Sequence, residues 1–402
     1  MVEESDLVDV GHDTDAEAHG VRPPVRGEIS AGLSAPRSTL VNVRSGRLVS
    51  LDAFRGLTIA AMVLVNNPGT WAAVHPPLRH AAWHGWTATD LVFPFFLFIV
   101  GVAIPLSLEH RAPAPALVRV LRRASVIFVL GLVLNGAAGG DWAAIRIPGV
   151  LQRIAVCYLA GAVLFLLTGW RAQAAVAVAL LLGYWGAMTL VPVPGYGAGD
   201  LGPQGNLAAW IDRAVLGPHL WRASPGYDPE GILSTAPAVA TVLFGVLTGQ
   251  WIRTGRAPRT LALGMLLTGA LAVAAGAEWG HWFPVNKTLW TSSYAVLTGG
   301  LALLTFAACY WAVDVCGWRR WARPFVVLGV NALALYFLSS LAALALARVP
   351  AGGPSLQALV FEGLFAPRAT PVNASLAYAA AYLLVWWGPM WLLDRAGIRL
   401  RA

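Results

Sequence analysis

Three of the chain's eight histidines, His75, His80 and His84, stand within ten residues of one another in the stretch WAAVHPPLRHAAWHGWTATD. Asn66 and Asn67 precede that stretch and Asp90 closes it. Neutral imidazole near pH 7 can take a proton from an attacking amine or hydroxyl, and a side-chain amide can donate to a developing oxyanion. The pattern therefore suits acyl transfer, with His80 as general base and Asn66 as oxyanion donor. Histidines also collect at membrane interfaces, and spacing alone leaves that reading open for His80. Asp90 either orients His80 or an acceptor, or caps the helix it opens. His75 and His84 are expected to be structural or acceptor-facing. A zinc site is not expected, because Pro76 and Pro77 prevent one continuous helix from presenting all three imidazoles.

Charged groups elsewhere extend the candidate set. Asp52 and Arg55 are i,i+3 neighbours in SLDAFRG and can pair on a helix. From Asp52 to Asn66 the chain advances fourteen residues, or ~21 Å at helical rise, so the two polar groups mark opposite ends of one membrane helix. Arg55 suits phosphate recognition, or it is a helix-end ion pair. Arg153, in RIPGVLQRIAVCY, is expected a turn or more inside the membrane. An unpartnered Arg there costs about 2.5 to 3.5 kcal/mol on insertion scales, so a functional partner is expected. Asp228 and Glu230 in YDPEGIL, and Lys287 in PVNKTLW, the chain's only lysine, lie close to helix starts. Each either binds a polar ligand or anchors its loop. Asn331, amid an apolar run, is expected to hydrogen-bond another helix.

The elements that must position these residues follow from composition. Of 402 residues, 57% are hydrophobic and 12% charged, far from the soluble norm of about a quarter charged. An all-α polytopic membrane protein is implied. Apolar runs long enough to span a bilayer fall near 50–67, 90–108, 117–136, 149–168, 172–191, 234–252, 259–276, 290–312, 324–346 and 374–393, about ten in all. Arginines clustered at 111–123, 253–259, 319–323 and 395–401, with Arg171, all fall on one side of this scheme. The longer opposite loops hold only Arg79, Arg146, Arg213, Arg222, Lys287, Arg348 and Arg368. The positive-inside rule then puts both termini in the cytoplasm and the histidine loop outside, in a multi-pass protein of the inner (plasma) membrane.

Residues 1–46 are polar and are expected to form a disordered cytoplasmic tail, with no apolar signal-peptide core in their opening stretch. Residues 47–402 form the transmembrane domain. The long external segment 192–233 is expected to hold a short helix around Leu207 to Leu216 and to cover the external mouth. Asn373-Ala374-Ser375 fits a glycosylation acceptor, a triplet that also arises by chance. Cys157, Cys309 and Cys316 show neither disulfide nor zinc spacing. The net charge of +8 is spread over helix ends and does not form a nucleic-acid patch.

The segments SLDAFRG, LVNN, RHAAWHGWTATDLVFPFFLFIVG, RIPGVLQRIAVCY, IDRAVLG, YDPEGIL and PVNKTLWTSSY, in that order, resemble the transmembrane acyltransferases related to heparan-α-glucosaminide N-acetyltransferase. The resemblance runs from about Arg47 to the C-terminus. It implies that Asn66 and His80 act in acetyl transfer. It further implies acetyl-CoA as donor, used from the cytoplasmic side, and an amino sugar or glycan on the external face as acceptor. Asp52, Arg55 and Arg153 are then assigned to the cofactor, and Asp90, Asp228, Glu230 and Lys287 to the acceptor, with no metal. The rival is a sugar transporter of N-acetylglucosamine utilisation, with Arg153 and Asn331 lining a path, although no inverted repeat is visible. A scaffolding protein would leave the histidine loop unexplained. The lipid bilayer is a partner in every case, and a homo-oligomer stays open.

Overall fold

The computed structural model describes residues 48–108, 112–139, 143–223, 226–349 and 354–400. The expected tail over 1–46 lies outside them. The chain forms α1 (Val49–Asn66), α2 (Val92–Leu108), α3 (Pro113–Gly139), α4 (Val150–Leu167), α5 (Trp170–Leu190), α6 (Leu207–Leu216) and α7 (Thr235–Ile252). It continues with α8 (Pro258–Trp279), α9 (Ser292–Tyr310), α10 (Arg323–Val330), α11 (Ala332–Arg348), α12 (Leu356–Val360) and α13 (Pro371–Arg395). The protein is an all-α polytopic membrane protein; among the described residues the β content is two isolated bridges.

All ten apolar runs are helical; among the described residues eight helices are long and apolar enough to cross a membrane, or nine if one bent pair is a single span, and α3, over the expected span 117–136, is not one of them. The bent pair replaces the expected straight span 324–346: α10 and α11 meet at 77°. Asn331 stands at that break and does not bridge to a neighbouring helix. Its Nδ2 donates to the Ile398 carbonyl at 3.2 Å and its Oδ1 accepts from the Leu400 amide at 2.8 Å, fastening the segment after α13.

Burial sorts the spans into an inner and an outer set. Of the span residues in α1, the α2 span, α7 and the α9 span, 61–67% are buried, against 22–28% in α5, α8 and α13. The reason is legible in α2, whose sequence VFPFFLFIVGVAIPLSL is apolar on every face and so must be surrounded. It packs on α1, α4, α7 and α9. Small residues let the inner helices approach closely. A Cβ on Gly101 would meet the Val242 carbonyl at 2.0 Å, and one on Gly329 would meet the Asp52 carbonyl at 2.1 Å. The second contact seats α10 against the Asp52 end of α1.

The expected short helix is α6, over Leu207–Leu216, capped by Asn206, whose Oδ1 accepts from the Ala209 amide at 2.8 Å. Its surrounding segment reaches the histidine loop. Trp83 Nε1 donates to the Leu201 carbonyl at 2.9 Å, and the Trp83 and Tyr227 rings meet edge to face at 5.2 Å.

Candidate active site

The histidine loop is shaped by its own backbone before any side-chain chemistry. Thr87 Oγ1 donates to the Arg79 carbonyl at 2.6 Å and closes the loop on itself. Gly85 has φ +95°, a left-handed conformation that favours glycine, and there its amide donates to the Val285 carbonyl at 2.7 Å. That contact and the Gly85–Asn286 bridge lay the segment before α9 alongside the loop. Lys287 is thereby brought to His80.

Three candidate residues converge at this point. His80 Nδ1 lies 2.6 Å from Asp90 Oδ1. Lys287 Nζ lies 3.4 Å from the same oxygen, and 3.0 and 3.4 Å from His80 Nδ1 and Nε2. The Asp90 side chain is 1% exposed, whereas that of His80 is 48% exposed. A buried carboxylate at 2.6 Å holds the imidazole proton on Nδ1 and leaves Nε2 as the basic nitrogen. Burial lowers the Lys287 pKa, and the charges of Asp90 and Glu230 oppose the shift.

The two readings of Asp90 prove compatible, because its oxygens divide the work. Oδ2 accepts from the amides of Thr87 at 3.0 Å and Ala81 at 3.1 Å, completing a capping box with Thr87. Oδ1 serves His80. Tyr294, buried on α9, donates to the Asp90 carbonyl at 2.6 Å and fixes this corner from behind.

Asp228 and Glu230 gather on Arg146. Arg146 Nε and Nη2 lie 2.8 and 2.6 Å from the two oxygens of Asp228, and Nη2 also holds Glu230 Oε2. Burial alone would lower the Arg146 pKa; Glu230 and Asp228 outweigh it and raise it. Asp228 further accepts from the amides of Trp221 and Glu230, both at 3.0 Å, so its carboxylate is committed to holding its loop. Asp212 on α6 accepts from the Ile232 amide at 2.8 Å, and burial pushes its carboxyl up to about 6.

Arg153 is 2% exposed and belongs to this side of the molecule. Its Nη2 donates to the Gly231 carbonyl at 3.1 Å and to Ser234 Oγ, and its guanidinium lies 5.2 Å over the Trp290 ring. Its partners are thus a carbonyl, a hydroxyl and an aromatic face, while its Nε and Nη1 are buried with no hydrogen-bond partner among the described residues. The structure does not bring Arg153 to Asp52 and Arg55, with which it was grouped for the cofactor. Those two pair at 3.1 Å near the start of α1, ~21 Å of helical rise from Asn66.

Asn66 is exposed, and its side chain has no hydrogen-bond partner among the described residues. It lines a cavity of about 330 Å³ with Asn67, Trp71, Asn135, Tyr336 and Tyr382 among others. His80 is not among the described residues lining it. The Arg146 network lies between them: Asn135 Nδ2 donates to the carbonyls of Arg146 and Pro148, both at 2.8 Å, while Glu230 acts electrostatically on both Tyr336 and Lys287.

The other two histidines each meet an asparagine. His75 Nε2 lies 3.0 Å from Asn373 Oδ1, and His84 Nδ1 lies 3.4 Å from Asn286 Nδ2. Asn373 and Ser375 lie in α13, where Ser375 is buried and bonded to Thr70. Among the described residues no cluster of three or more metal ligands occurs.

Sequence reasoning missed Trp290, Tyr294 and the role of Arg146. Trp290 is 1% exposed and adopts φ +50°, a conformation tolerated only where the surroundings impose it. No sequence signal marks it.

A family described as a domain of unknown function (DUF5009) matches residues 47–197. Human heparan-alpha-glucosaminide N-acetyltransferase is 30% identical over 376 residues, covering 78% of this chain and 56% of that protein. The mouse protein of the same name is 29% identical over 357 residues, covering 73% and 53%. The chain belongs to the heparan-alpha-glucosaminide N-acetyltransferase family. It spans about half the length of these curated relatives. The DUF5009 match takes in Asn66, His80, Asp90, Arg146 and Arg153 but ends before Asp228, Glu230 and Lys287. Within the matched stretch, His80 is paired with the buried carboxylate of Asp90.

Proposed function

We propose that this protein is a transmembrane acetyltransferase that takes the acetyl group of acetyl-CoA and passes it to an amine or hydroxyl of a sugar or glycan on the external face. The observation that carries the reading is the 2.6 Å pairing of His80 with buried Asp90, which leaves Nε2 of an exposed imidazole, 3.4 Å from Lys287 Nζ, as the basic nitrogen. In the reaction the acceptor's N–H or O–H bond breaks as its heteroatom bonds to the thioester carbonyl carbon. The proton passes to His80 Nε2, the C–S bond breaks, and the proton leaves with the coenzyme thiolate. Asn66 donates to the oxyanion, and Lys287 holds the charge of Asp90 in place. Asp52 and Arg55 receive the coenzyme headgroup from the opposite side of the membrane. The test is turnover of labelled acetyl-CoA by the protein in liposomes, against a panel of sugars. Sugar uptake into liposomes with no acetyl transfer would establish the transporter reading instead.

Orientation is part of the proposal, with both termini in the cytoplasm of an inner-membrane protein. A reporter fused after Arg401 is expected to read cytoplasmic and one inserted near Gly199 external; the reverse pair of readings would turn the site to the other face. The donor assignment predicts that Arg55→Ala, folded, weakens coenzyme A binding about tenfold while leaving acceptor binding unchanged, as loss of one charged hydrogen bond implies. Equal coenzyme affinity in parent and variant, measured by titration calorimetry, would reduce Arg55 to the partner of Asp52.

A further inference from the structure

We propose that the corner where the start of α10 meets the end of α13 is a binding site for the headgroup of an anionic glycerophospholipid. The inference stands apart from the acetyltransferase reading and concerns a surface that the proposed reaction does not use. Uncommitted charge, interfacial aromatic rings and a pinned seat carry it.

Charge comes first. Residues 314–323 and 394–399 hold five arginines against two carboxylates, Asp314 and Asp394. Elsewhere in the molecule arginines are bound to the protein itself: Arg79 donates to the Val74 carbonyl, Arg213 to the carbonyls of Gln204 and Gly226, and Arg368 to that of Leu364. Arg320, Arg323 and Arg399 differ. All three are exposed, and among the described residues their side chains make neither a hydrogen bond nor an ion pair. Of the other two, Arg395 lies 4.0 Å over the Trp391 ring, and Arg319 interacts electrostatically with Asp314. Guanidinium groups left open in this way match a lipid phosphate in charge and in hydrogen-bond geometry. A zwitterionic headgroup would bring its own cation among them and is disfavoured.

The rings place this charge at headgroup depth. Trp318 is 67% exposed and Trp321 38%. Trp321 meets Phe325 edge to face at 6.1 Å, and Trp387 stacks on Trp391 at 6.2 Å. Trp387 Nε1 donates to the Pro324 carbonyl at 3.3 Å, joining the rings of α13 to the start of α10. Indoles with one polar and one apolar edge settle where headgroups give way to acyl chains. Leu384, Val385 and Leu392, exposed on α13, supply the apolar surface for those chains.

The seat is exposed but pinned at both ends. The Trp318 amide donates to the Ala312 carbonyl at 2.8 Å, Gly317 turns the chain at φ +73°, and Ala322 is buried with Ala53 and Val313. Beyond it α10 rests on α1 backbone to backbone, because a Cβ on Gly56 would run into the Phe325 carbonyl. A headgroup that ties the segment before α10 to α13 therefore holds α10 on α1, and binding to the folded state raises its stability by mass action.

The experiment is native mass spectrometry of the delipidated full chain in detergent, titrated with dioleoyl phosphatidylglycerol or dioleoyl phosphatidylcholine, beside thermal midpoints in the same mixtures. Phosphatidylglycerol is expected to bind saturably, at least about tenfold tighter than phosphatidylcholine, and to raise the midpoint, as several arginines acting on one phosphate imply. The triple variant Arg319→Gln, Arg320→Gln, Arg323→Gln should lose both effects. The pair Arg256→Gln, Arg259→Gln removes exposed charge from the loop before α8 and should keep them. If the triple variant fails to fold, Arg399→Gln with Trp318→Ala, both at exposed positions, takes its place and should weaken phosphatidylglycerol severalfold. Equal affinity for the two lipids, a preference untouched by the corner variants, or an equal loss in the Arg256 and Arg259 pair would overturn the assignment. So would displacement of the lipid by free glycerol phosphate at the same concentration, which would make the ligand a soluble phosphate. A dimer that retains no lipid and falls apart in the triple variant would give the corner to a second copy of the chain instead.

Discussion

Replacing His80 with alanine is expected to lower acetyl transfer by about 10²- to 10⁴-fold, the usual contribution of a positioned general base. The expectation comes from Nε2, the nitrogen that the 2.6 Å contact to Asp90 leaves unprotonated on a half-exposed ring. Attack on a thioester by a hydroxyl or amine requires that its proton be removed as the tetrahedral intermediate forms, and no other imidazole of the loop is so placed. His84 is held against Asn286, where burial lowers its pKa, and His75 is bonded to Asn373. His75→Ala is therefore the control and should retain activity. Asn66→Ala should cost less, on the order of 10²- to 10³-fold, as loss of one oxyanion donor does. Both His80 and Asn66 are exposed enough that their removal leaves no packing cavity, so the thermal midpoint should not move. Initial rates with labelled acetyl-CoA in liposomes decide the matter. A folded His80→Ala protein working at the parental rate would remove His80 from the chemistry.

The fold was legible where physics is local and illegible where it is tertiary. Apolar length placed all ten helical runs, and the turn-rich segment around Leu207 contained its helix because Asn206 is a good cap. The break at Asn331 escaped because nothing in the run 324–346 forbids a straight helix. The kink coexists with two long-range contacts, Gly329 on the Asp52 carbonyl and the Asn331 amide on the backbone of Ile398 and Leu400. The site divides in the same way. His80 and Asp90 announce themselves by residue type at the two ends of one loop. Lys287 stands out as the single lysine, yet only the Gly85 contact with the 285–286 segment brings it to His80. Arg153 was correctly expected to need a partner, but the partners are a carbonyl, a serine and a tryptophan face on the histidine side of the molecule. Insertion energetics say that a buried guanidinium needs a partner; they do not say which, at which end, or that only Nη2 finds one.

Asp90→Asn is expected to be nearly as damaging as removal of His80, by up to about 10⁴-fold, the scale seen when an orienting Asp in a Ser-His-Asp triad becomes Asn. Asparagine keeps the shape, and its carbonyl oxygen can still accept from the amides of Thr87 and Ala81, so the capping box survives. Its NH₂ then faces His80 Nδ1. An amide donor at that position favours the tautomer with the proton on Nε2, which removes the lone pair the acceptor needs. Capping alone predicts something different: little change for Asp90→Asn, and a loss of about 1 kcal/mol in stability for Asp90→Ala with activity following the folded fraction. The double variant separates the two accounts. If Asp90 acts through the imidazole, His80→Ala with Asp90→Asn should be no slower than His80→Ala alone, because residues that act as a unit are grossly non-additive. Rates that multiply in the double variant would show that Asp90 acts independently of His80, and the 2.6 Å pair would then be only an element of the loop's architecture.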